Sequence, residues 1–269
     1  LRTTDLPSGC FDTHNLRIYS DVKSRDMPVF FITSACVNGH RLIVTGPLVQ
    51  HLRGSLRVKV GELFWFGDQN RRRYQVRLDE VELKRITGEI VDVCSEPMNR
   101  AVIVTMAHAV IKSHRMSWMF QKTTELGVTH LVPLVTDRTV VQAKVSQYEQ
   151  MVERWHRIAL EAAQQTERWD IPIIHRPTKL NAFLDGSVHS DMKLLLWEKE
   201  TEQRLSSVLR GKSRPTQVSL LVGPEGGFTE MEVVAAKDCG YQAVTLGPRM
   251  LRSETAAVAA LSVIQSEFE

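Results

Sequence analysis

The stretch VSLLVGPEGGFT, residues 218–229, runs from an apolar β-rich segment through a glycine-rich loop to the start of a helix. Thr229 and Glu232 have the spacing of a capping box, and Gly240 predicts where that helix ends. Open α/β sheets bind ligands at the carboxyl ends of their strands, where this loop is expected to lie. The loop matches neither the G-x-G-x-x-G pattern nor a Walker loop. It therefore predicts either a ligand site or a simple glycine-rich turn.

A second loop, GPRMLR at residues 247–252, follows another short β-rich run at 243–246. Ser253 is predicted to cap the Ala-rich helix that follows. Arg249 and Arg252 are thus expected beside a helix N-terminus, where N–H groups and guanidinium donors favour anionic or polar ligands. Two successive strands that end in Gly-Pro loops favour ligand recognition over turning alone.

After residue 100 the chain alternates between β-rich and helical patterns, which predicts an α/β fold with a mostly parallel sheet. Gly127 is expected to end the first helix of this region. Besides the segments named above, the predicted strands are 101–107, 129–135, 193–197 and 217–222, and the predicted helices are 115–126, 147–168 and 256–268.

The region before residue 100 contains short β-rich runs separated by turn residues, which predicts a small β-barrel. We expect an irregular N-terminal extension at 1–26, the barrel at 27–95 and, after a linker, the α/β domain at 101–269. The β-rich runs are 27–32, 41–45, 63–66, 74–78 and 86–93.

The chain has 269 residues, of which 43% are hydrophobic and 24% charged, and its net charge is +3. These values are typical of a globular protein, and no apolar run reaches the roughly 18 residues that a membrane span needs. Between Arg41 and Arg85 ten Lys and Arg stand against five Asp and Glu. This excess fits a phosphate-binding surface or a solvated basic face. The four scattered cysteines predict a reducing cytoplasm and no metal site.

Two segments resemble the paired signature of the RsmE-type RNA methyltransferases of the SPOUT class: LVGPEGGF at 221–228 and LGPRMLRSETA at 246–256. The resemblance covers about residues 27–268. Three further segments are similar to motifs of that family: QKTTELGV at 121–128, EAAQQTER at 161–168 and HLRGSLR at 51–57.

The resemblance implies a SPOUT-type trefoil-knotted, mostly parallel sheet preceded by a small PUA-like barrel that binds RNA. It implies a cytoplasmic enzyme that transfers a methyl group from S-adenosyl-L-methionine to N3 of one uridine in the 16S rRNA of the small ribosomal subunit. It also implies a homodimer whose active site lies at the subunit interface. The residues themselves predict no metal and no membrane partner, from the scattered cysteines and the absence of a long apolar run.

By the same resemblance the knot loops would enclose the cofactor, mainly through backbone groups, with pure turn geometry as the alternative. The residues placed there are Leu196, Trp197, Leu221, Gly223, Pro224, Glu225, Gly226, Gly227, Leu246, Gly247, Met250 and Leu251.

Arg252 is the first candidate for holding the uracil carbonyls or the adjacent phosphate, because a guanidinium is a fixed fork of donors. Arg249 is the second candidate, and a structural ion pair is the alternative for either. Glu254 is predicted to orient an arginine, to accept a proton or to interact with the helix dipole. No general base is assigned, and His108 and His114 are predicted to face solvent or RNA.

Five arginines are predicted to contact phosphates without reading bases. For three of them, which are consecutive, a solvated hairpin tip is the alternative. The five are Arg53, Arg57, Arg71, Arg72 and Arg73. At least one of the neighbouring Phe64, Trp65 and Phe66 is expected in the barrel core, and none is interpreted as a base-stacking platform. Four residues of the family motifs are interpreted as helix-end and interface supports: Glu125, Glu161, Gln165 and Arg168.

Three alternatives stay open beside the rRNA enzyme. They are a knotted methyltransferase acting on tRNA or on 2′-hydroxyls, a non-catalytic RNA-binding assembly factor, and a nucleotide-binding α/β enzyme. The 51–57 stretch and the GPEGG form favour the rRNA enzyme over its nearest rival. The last alternative ranks lowest because the chain has no phosphate-loop lysine.

Overall fold

A computed structural model describes residues 29–97, 102–141, 144–186 and 189–268. The predicted extension at 1–26 and parts of the linker and of two predicted β-rich segments lie outside these residues. Within them the chain forms two sheets, one of six strands and one of seven.

The N-terminal sheet has the order β1-β4-β5-β6-β3-β2, antiparallel except for the parallel pair β1–β4. Its apolar face packs on a helix, α1, through a buried cluster that includes Leu42, Leu52 and Phe66. The elements are β1 (Phe30–Phe31), β2 (Val37–Asn38), β3 (Arg41–Thr45), α1 (Pro47–Gly54), β4 (Leu63–Gly67), β5 (Arg72–Val81) and β6 (Arg85–Ser95).

The β-rich runs predicted from 41 onward are confirmed as strands, but α1 was not predicted. Pro47 occupies the first helical position, where its missing N–H costs nothing, and Val49 and Leu52 are buried beneath the helix. The predicted RNA-contacting stretch 51–57 therefore lies on the last turn of a helix and the turn after it. Phe64 and Phe66 are buried in the core, as expected.

The second sheet has the order β10-β8-β7-β12-β11-β13, with β9 paired to β8, and every pairing in it is parallel. The predicted α/β fold with a mostly parallel sheet is thus confirmed. The strands are β7 (Ile103–Ala109), β8 (His130–Val135), β9 (Ile173–Ile174), β10 (Thr178–Lys179), β11 (Met192–Leu196), β12 (Gln217–Val222) and β13 (Gln242–Val244).

Helices cover this sheet, and several of their bounds differ from prediction. The long helix ends at Gln165, because Glu167 adopts a left-handed φ of 50°. The last helix starts at Ser253, so Ser253 is its first residue and the prediction that it is the cap is wrong. The helices are α2 (Ser113–Glu125), α3 (Tyr148–Gln165), α4 (Leu180–Asp185), α5 (Leu205–Leu209), α6 (Glu230–Asp238) and α7 (Ser253–Phe268).

The two sheets are joined by contacts at the end of α3. Arg71 bridges Glu96 at 2.5 Å and Asp170 at 2.6 Å, while the guanidinium of Arg73 lies 3.9 Å from the centre of the Trp169 ring. Arg73 also donates a hydrogen bond to the carbonyl oxygen of Glu167. These contacts hold the N-terminal sheet against the α/β region.

Candidate active site

The two Gly-Pro loops meet at one edge of the second sheet. β11 pairs in parallel with both β12 and β13, so the carboxyl ends of all three strands open on the same side. A cavity of about 550 Å³ lies there, between the loop after β12, the loop after β13 and the end of β11. The position is the one at which open α/β sheets bind ligands.

Nearly all of the residues predicted to hold a cofactor line this cavity. The exception is Leu221, which is fully buried in the core beneath it. The lining includes Leu196, Trp197, Gly223, Pro224, Glu225, Gly226, Gly227, Leu246, Gly247, Met250 and Leu251.

Hydrogen bonds from neighbouring segments fix the first loop. The Thr229 side chain accepts from the N–H of Glu232 at 3.2 Å, and the Glu232 carboxylate accepts from the N–H of Thr229 at 2.7 Å, so the predicted capping box is confirmed. The same carboxylate accepts from the N–H of Asp137 at 2.9 Å. Arg138 donates to the carbonyl oxygen of Gly226 at 2.7 Å. The loop is therefore braced from two sides.

Glycine is favoured at Gly227, chiefly by its backbone conformation. Its φ of +68° is a left-handed conformation that a side chain disfavours. A Cβ at this position would also displace the exposed Glu198 carboxylate, which lines the same cavity. The loop can thus approach a ligand more closely than a loop with side chains could.

The second loop presents two arginines to the cavity. Arg249 and Arg252 both line it, and neither forms an ion pair within the described part of the chain. Met250 beside them is 87% exposed. The alternative of a structural ion pair is therefore not observed for either arginine in the described part of the chain. Both guanidinium groups are available to an anion or a carbonyl.

Sequence reasoning missed Arg115, a third cavity-lining arginine that comes from α2. Its Nη1 lies 3.6 Å from an oxygen of Glu225, and its Nε lies 3.6 Å from Oε1 of Glu254. Glu254 is only 6% exposed and is not among the residues that line the cavity. Of the three roles considered for Glu254, orienting an arginine fits this arrangement.

His108 is wholly buried, so the prediction that it faces solvent or RNA is wrong. It is the last residue but one of β7 and lies opposite Val222, with Nδ1 2.6 Å from the carbonyl oxygen of Ala109 and Nε2 3.1 Å from the Ser253 hydroxyl. That hydroxyl also donates to the carbonyl oxygen of Gly223. Burial lowers the pKa of the His108 imidazole, against the opposing influence of its hydrogen bonds and of nearby carboxylates. The network links β7, the first loop and α7.

Comparison with known proteins decides the family. The RNA methyltransferase domain family matches residues 98–265 of the chain. The ribosomal RNA small subunit methyltransferase E of Synechocystis is 30% identical and covers 88% of this chain and 80% of its own length. The one from Mesomycoplasma hyopneumoniae is 32% identical over 80% of this chain and 90% of its own. The chain belongs to the ribosomal RNA small subunit methyltransferase E family.

A solved structure of a family member is also similar to this chain. The ribosomal RNA small subunit methyltransferase E of Neisseria gonorrhoeae, crystallised with S-adenosyl methionine, superposes with a TM-score of 0.77 and 29% identity. The match covers 89% of this chain and 97% of that one. The superposition therefore spans both sheets.

The arginines predicted to bind RNA in this methyltransferase lie in two places. Arg53 is on the last turn of α1, and Arg57 follows it with a left-handed φ of 53°. Arg72 begins β5 and is exposed. Arg71 and Arg73 instead contact residues 167–170 across the junction of the two sheets. Phosphate contact by these five residues remains a prediction.

The interpretation of Arg168 as a helix-end support agrees with its contacts. It donates to the carbonyl oxygens of Thr124 at 2.8 Å and Val128 at 2.9 Å, at the end of α2.

Among the described residues no group of three or more His, Cys, Asp or Glu is arranged to hold a metal ion. Nor is any helix in those ranges long and apolar enough to span a membrane.

Proposed function

We propose that this protein transfers a methyl group from S-adenosyl-L-methionine to N3 of one uridine in the 16S rRNA of the small ribosomal subunit. The observation that carries the proposal is the cavity in which two glycine-proline loops meet beside Arg249 and Arg252, two arginines that form no ion pair with any described residue. Membership of the ribosomal RNA small subunit methyltransferase E family supports the same substrate.

The residues around the cavity fit S-adenosylmethionine. Its volume of about 550 Å³ lies within the roughly 300–1,000 Å³ usual for small-molecule sites. Leu196 and Leu246 offer apolar surface to an adenine ring, and the glycines let backbone groups approach the ligand closely. The indole Nε1 of Trp197, in the wall of the cavity, is buried without a hydrogen-bond partner among the described residues. Its N–H is therefore available to donate to a bound ligand.

The reaction joins N3 of uracil to the methyl carbon while the sulfur–methyl bond breaks and its electron pair returns to sulfur. S-adenosylmethionine, when bound, supplies the methyl group as a positively charged sulfonium. N3 gives up its proton to solvent water, and the negative charge this leaves spreads over the uracil carbonyls. Arg252 holds those carbonyls, since a fixed cationic fork of donors stabilises the negative charge that develops on them. Arg249 contacts the adjacent phosphate.

Exchanging Gly227 for alanine is expected to weaken S-adenosylmethionine binding about tenfold. The new Cβ displaces the Glu198 carboxylate within the cavity, and the left-handed φ adds strain of about 1–2 kcal/mol. Gly211→Ala is the matched control, because Gly211 has a φ of +72° and nothing within 4 Å of its Cβ position. Isothermal calorimetry measures the affinity of both variants for S-adenosylmethionine. Equal affinities would contradict the proposal that the first loop holds the cofactor.

The double variant Arg53→Ala with Arg57→Ala is expected to bind the small ribosomal subunit more weakly and with a smaller dependence on salt. Each lost phosphate contact lowers the slope of log affinity against log salt by about one. Arg176→Ala with Arg210→Ala, two exposed arginines of the α/β region, serves as the control. An unchanged slope in the first double variant would remove Arg53 and Arg57 from the RNA contact.

We propose further that residues 27–95 form a PUA-like RNA-binding barrel and residues 101–269 a SPOUT methyltransferase domain whose loops are knotted. We propose a homodimer in the cytoplasm with the active site at the subunit interface. Exposed apolar side chains on the second loop and on α6, the helix that follows the first loop, support the interface, since exposed apolar surface often marks a protein contact. They are Met231, Val234, Met250 and Leu251.

Two measurements test the function. Calorimetry of the pure protein with S-adenosylmethionine is expected to show binding, and absence of binding would favour a non-catalytic assembly factor. Nuclease digestion and mass analysis of rRNA methylated in vitro is expected to find one 3-methyluridine in 16S rRNA. A methyl group on tRNA or on a 2′-hydroxyl would assign the protein to another branch of these enzymes.

A further inference from the structure

A second cavity, of about 900 Å³, lies between the N-terminal sheet and one face of α2 and α3. We call it the interdomain groove. β1 and the α1 region contribute Phe30, His51 and Leu56 to its wall. The helices contribute His114, Ser117, Trp118, Gln121 and Glu125 from α2, and Ile158, Glu161, Ala162, Gln164 and Gln165 from α3.

The lining of the groove is suited to flat, polar and uncharged groups. Among the described residues no lysine or arginine lines it, and of its two carboxylates Glu125 is already paired with Lys122 at 2.8 Å, so the groove itself offers no free cation to a phosphate. Three side chains are carboxamides, each of which offers a donor and an acceptor side by side. Paired donors and acceptors of this kind recognise the edges of nucleobases. The three are Gln121, Gln164 and Gln165.

Trp118 supplies an aromatic surface at the groove. Its side chain is 42% exposed, although tryptophan is a residue that folded proteins usually bury to a large extent. An exposed indole beside amide side chains is the arrangement on which unpaired bases stack, with little dependence on which base it is.

The helix walls of the groove are rigid. The Phe120 and Trp155 rings stack with centroids 4.9 Å apart and join α2 to α3 beneath the groove. Arg154 donates to the Ser113 hydroxyl at 2.7 Å and to the Ser117 hydroxyl at 3.1 Å, which ties the same helices together near their ends. A preformed site loses less freedom when it binds a ligand.

The groove shares wall elements with both parts of the site already described. Arg115, which lines the cofactor cavity, is the immediate neighbour of His114, which lines the groove. On the other wall His51 and Leu56 share the α1 region with Arg53 and Arg57. Bases in the groove would therefore lie between the methyl-transfer site and cations that suit the phosphates outside it.

We infer that the interdomain groove binds unpaired nucleobases of the RNA substrate next to the methylated nucleotide. Stacking on Trp118 holds such a base, and the carboxamides read its edge. The inference rests on the proposed function and adds to it a determinant of which RNA is accepted.

Trp118→Ala is expected to weaken binding to unmethylated small ribosomal subunits about tenfold, and Trp118→Phe is expected to restore most of that loss. The salt dependence of binding stays unchanged, because no phosphate contact is removed. Affinity for S-adenosylmethionine, measured by calorimetry, is also expected to stay unchanged. Filter binding at several salt concentrations measures both the affinity and its salt slope.

Gln121→Leu tests whether the groove reads base identity. Small subunits with a substituted base next to the target uridine are expected to bind the natural protein more weakly than native subunits do. In Gln121→Leu the ratio of the affinity for native subunits to that for substituted subunits is expected to fall towards one. Gln203→Leu changes an exposed glutamine outside the groove and is expected to keep the ratio of the natural protein.

Two results would overturn the inference. One is full affinity for the subunit in Trp118→Ala. The other is conversion of a dimer to a monomer by Trp118→Ala in sedimentation analysis, since the groove would then be a contact between two copies of the chain. Failure of the proposed function is distinguishable, because the natural protein itself would then bind no S-adenosylmethionine.

Discussion

Replacing Arg252 by alanine is expected to lower the rate of methyl transfer about a hundredfold or more while affinity for S-adenosylmethionine changes less than about twofold. The guanidinium lines the cavity and has no ion-pair partner in the described part of the chain, so its charge is available to the uracil. Charge on the uracil carbonyls grows as N3 loses its proton. An interaction that strengthens towards the transition state acts on the rate rather than on binding.

Three matched variants make this expectation specific to Arg252. Arg252→Lys keeps the charge but loses the two-pronged donor geometry, so its rate is expected to fall between those of the natural protein and Arg252→Ala. Arg249→Ala is expected to weaken RNA binding more than it slows the chemical step. Arg210→Ala, at an exposed position that does not line the cavity, is expected to change neither. Single-turnover methylation with saturating cofactor and RNA separates these effects, and an unchanged rate in Arg252→Ala would remove the residue from the mechanism.

Features that depend on residues close in the chain were predictable from the sequence. The capping box of Thr229 and Glu232 and the helix end at Gly240 follow from hydrogen bonds and backbone conformations within a few residues. The long apolar strands of the parallel sheet are equally local signals. The two Gly-Pro loops were predicted as one site because each follows a strand, and both strands end at the same sheet edge.

Features that depend on distant parts of the chain were not predictable. Arg115 reaches the cavity only because α2 packs beside the loops that follow it by about a hundred residues. His108 carries a side chain usually placed at the surface, yet its strand lies at the centre of the sheet. The two-residue strands β9 and β10 and the short helices α4 and α5 contain too few residues for a periodic pattern.

His108→Leu is expected to lower the free energy of unfolding by about 2–4 kcal/mol at neutral pH. The change leaves the carbonyl oxygen of Ala109 buried without its donor and removes one partner of the Ser253 hydroxyl, and an unsatisfied buried polar group costs about 1–3 kcal/mol. Chemical denaturation measures the loss. His156→Leu, at an exposed position on α3, is the control and is expected to change stability little.

The same variant is expected to change how stability depends on pH. Burial lowers the pKa of His108 below its ordinary value of about 6.5, whereas the unfolded chain regains that value. Below pH 6.5 the unfolded state therefore binds a proton that the folded state does not, and stability falls as pH decreases towards the lowered pKa. His108→Leu lacks this component, so the stability difference between natural protein and variant is expected to narrow between pH 7.5 and pH 5.5, and a constant difference would contradict the buried neutral histidine.

The number of protons in the network explains why this histidine bears on the active site. Three contacts connect Ala109, His108, Ser253 and Gly223, but a neutral imidazole and one hydroxyl have only two protons to donate. If Nδ1 donates to Ala109, the Ser253 hydroxyl donates either to Nε2 or to the Gly223 carbonyl. Removing the ring breaks the link between β7 and the start of α7, next to Arg252, and leaves the hydroxyl only the Gly223 carbonyl as a partner. We therefore expect His108→Leu to slow methyl transfer about tenfold even at temperatures where it stays folded, and Ser253→Ala to have the same effect without the change in pH dependence.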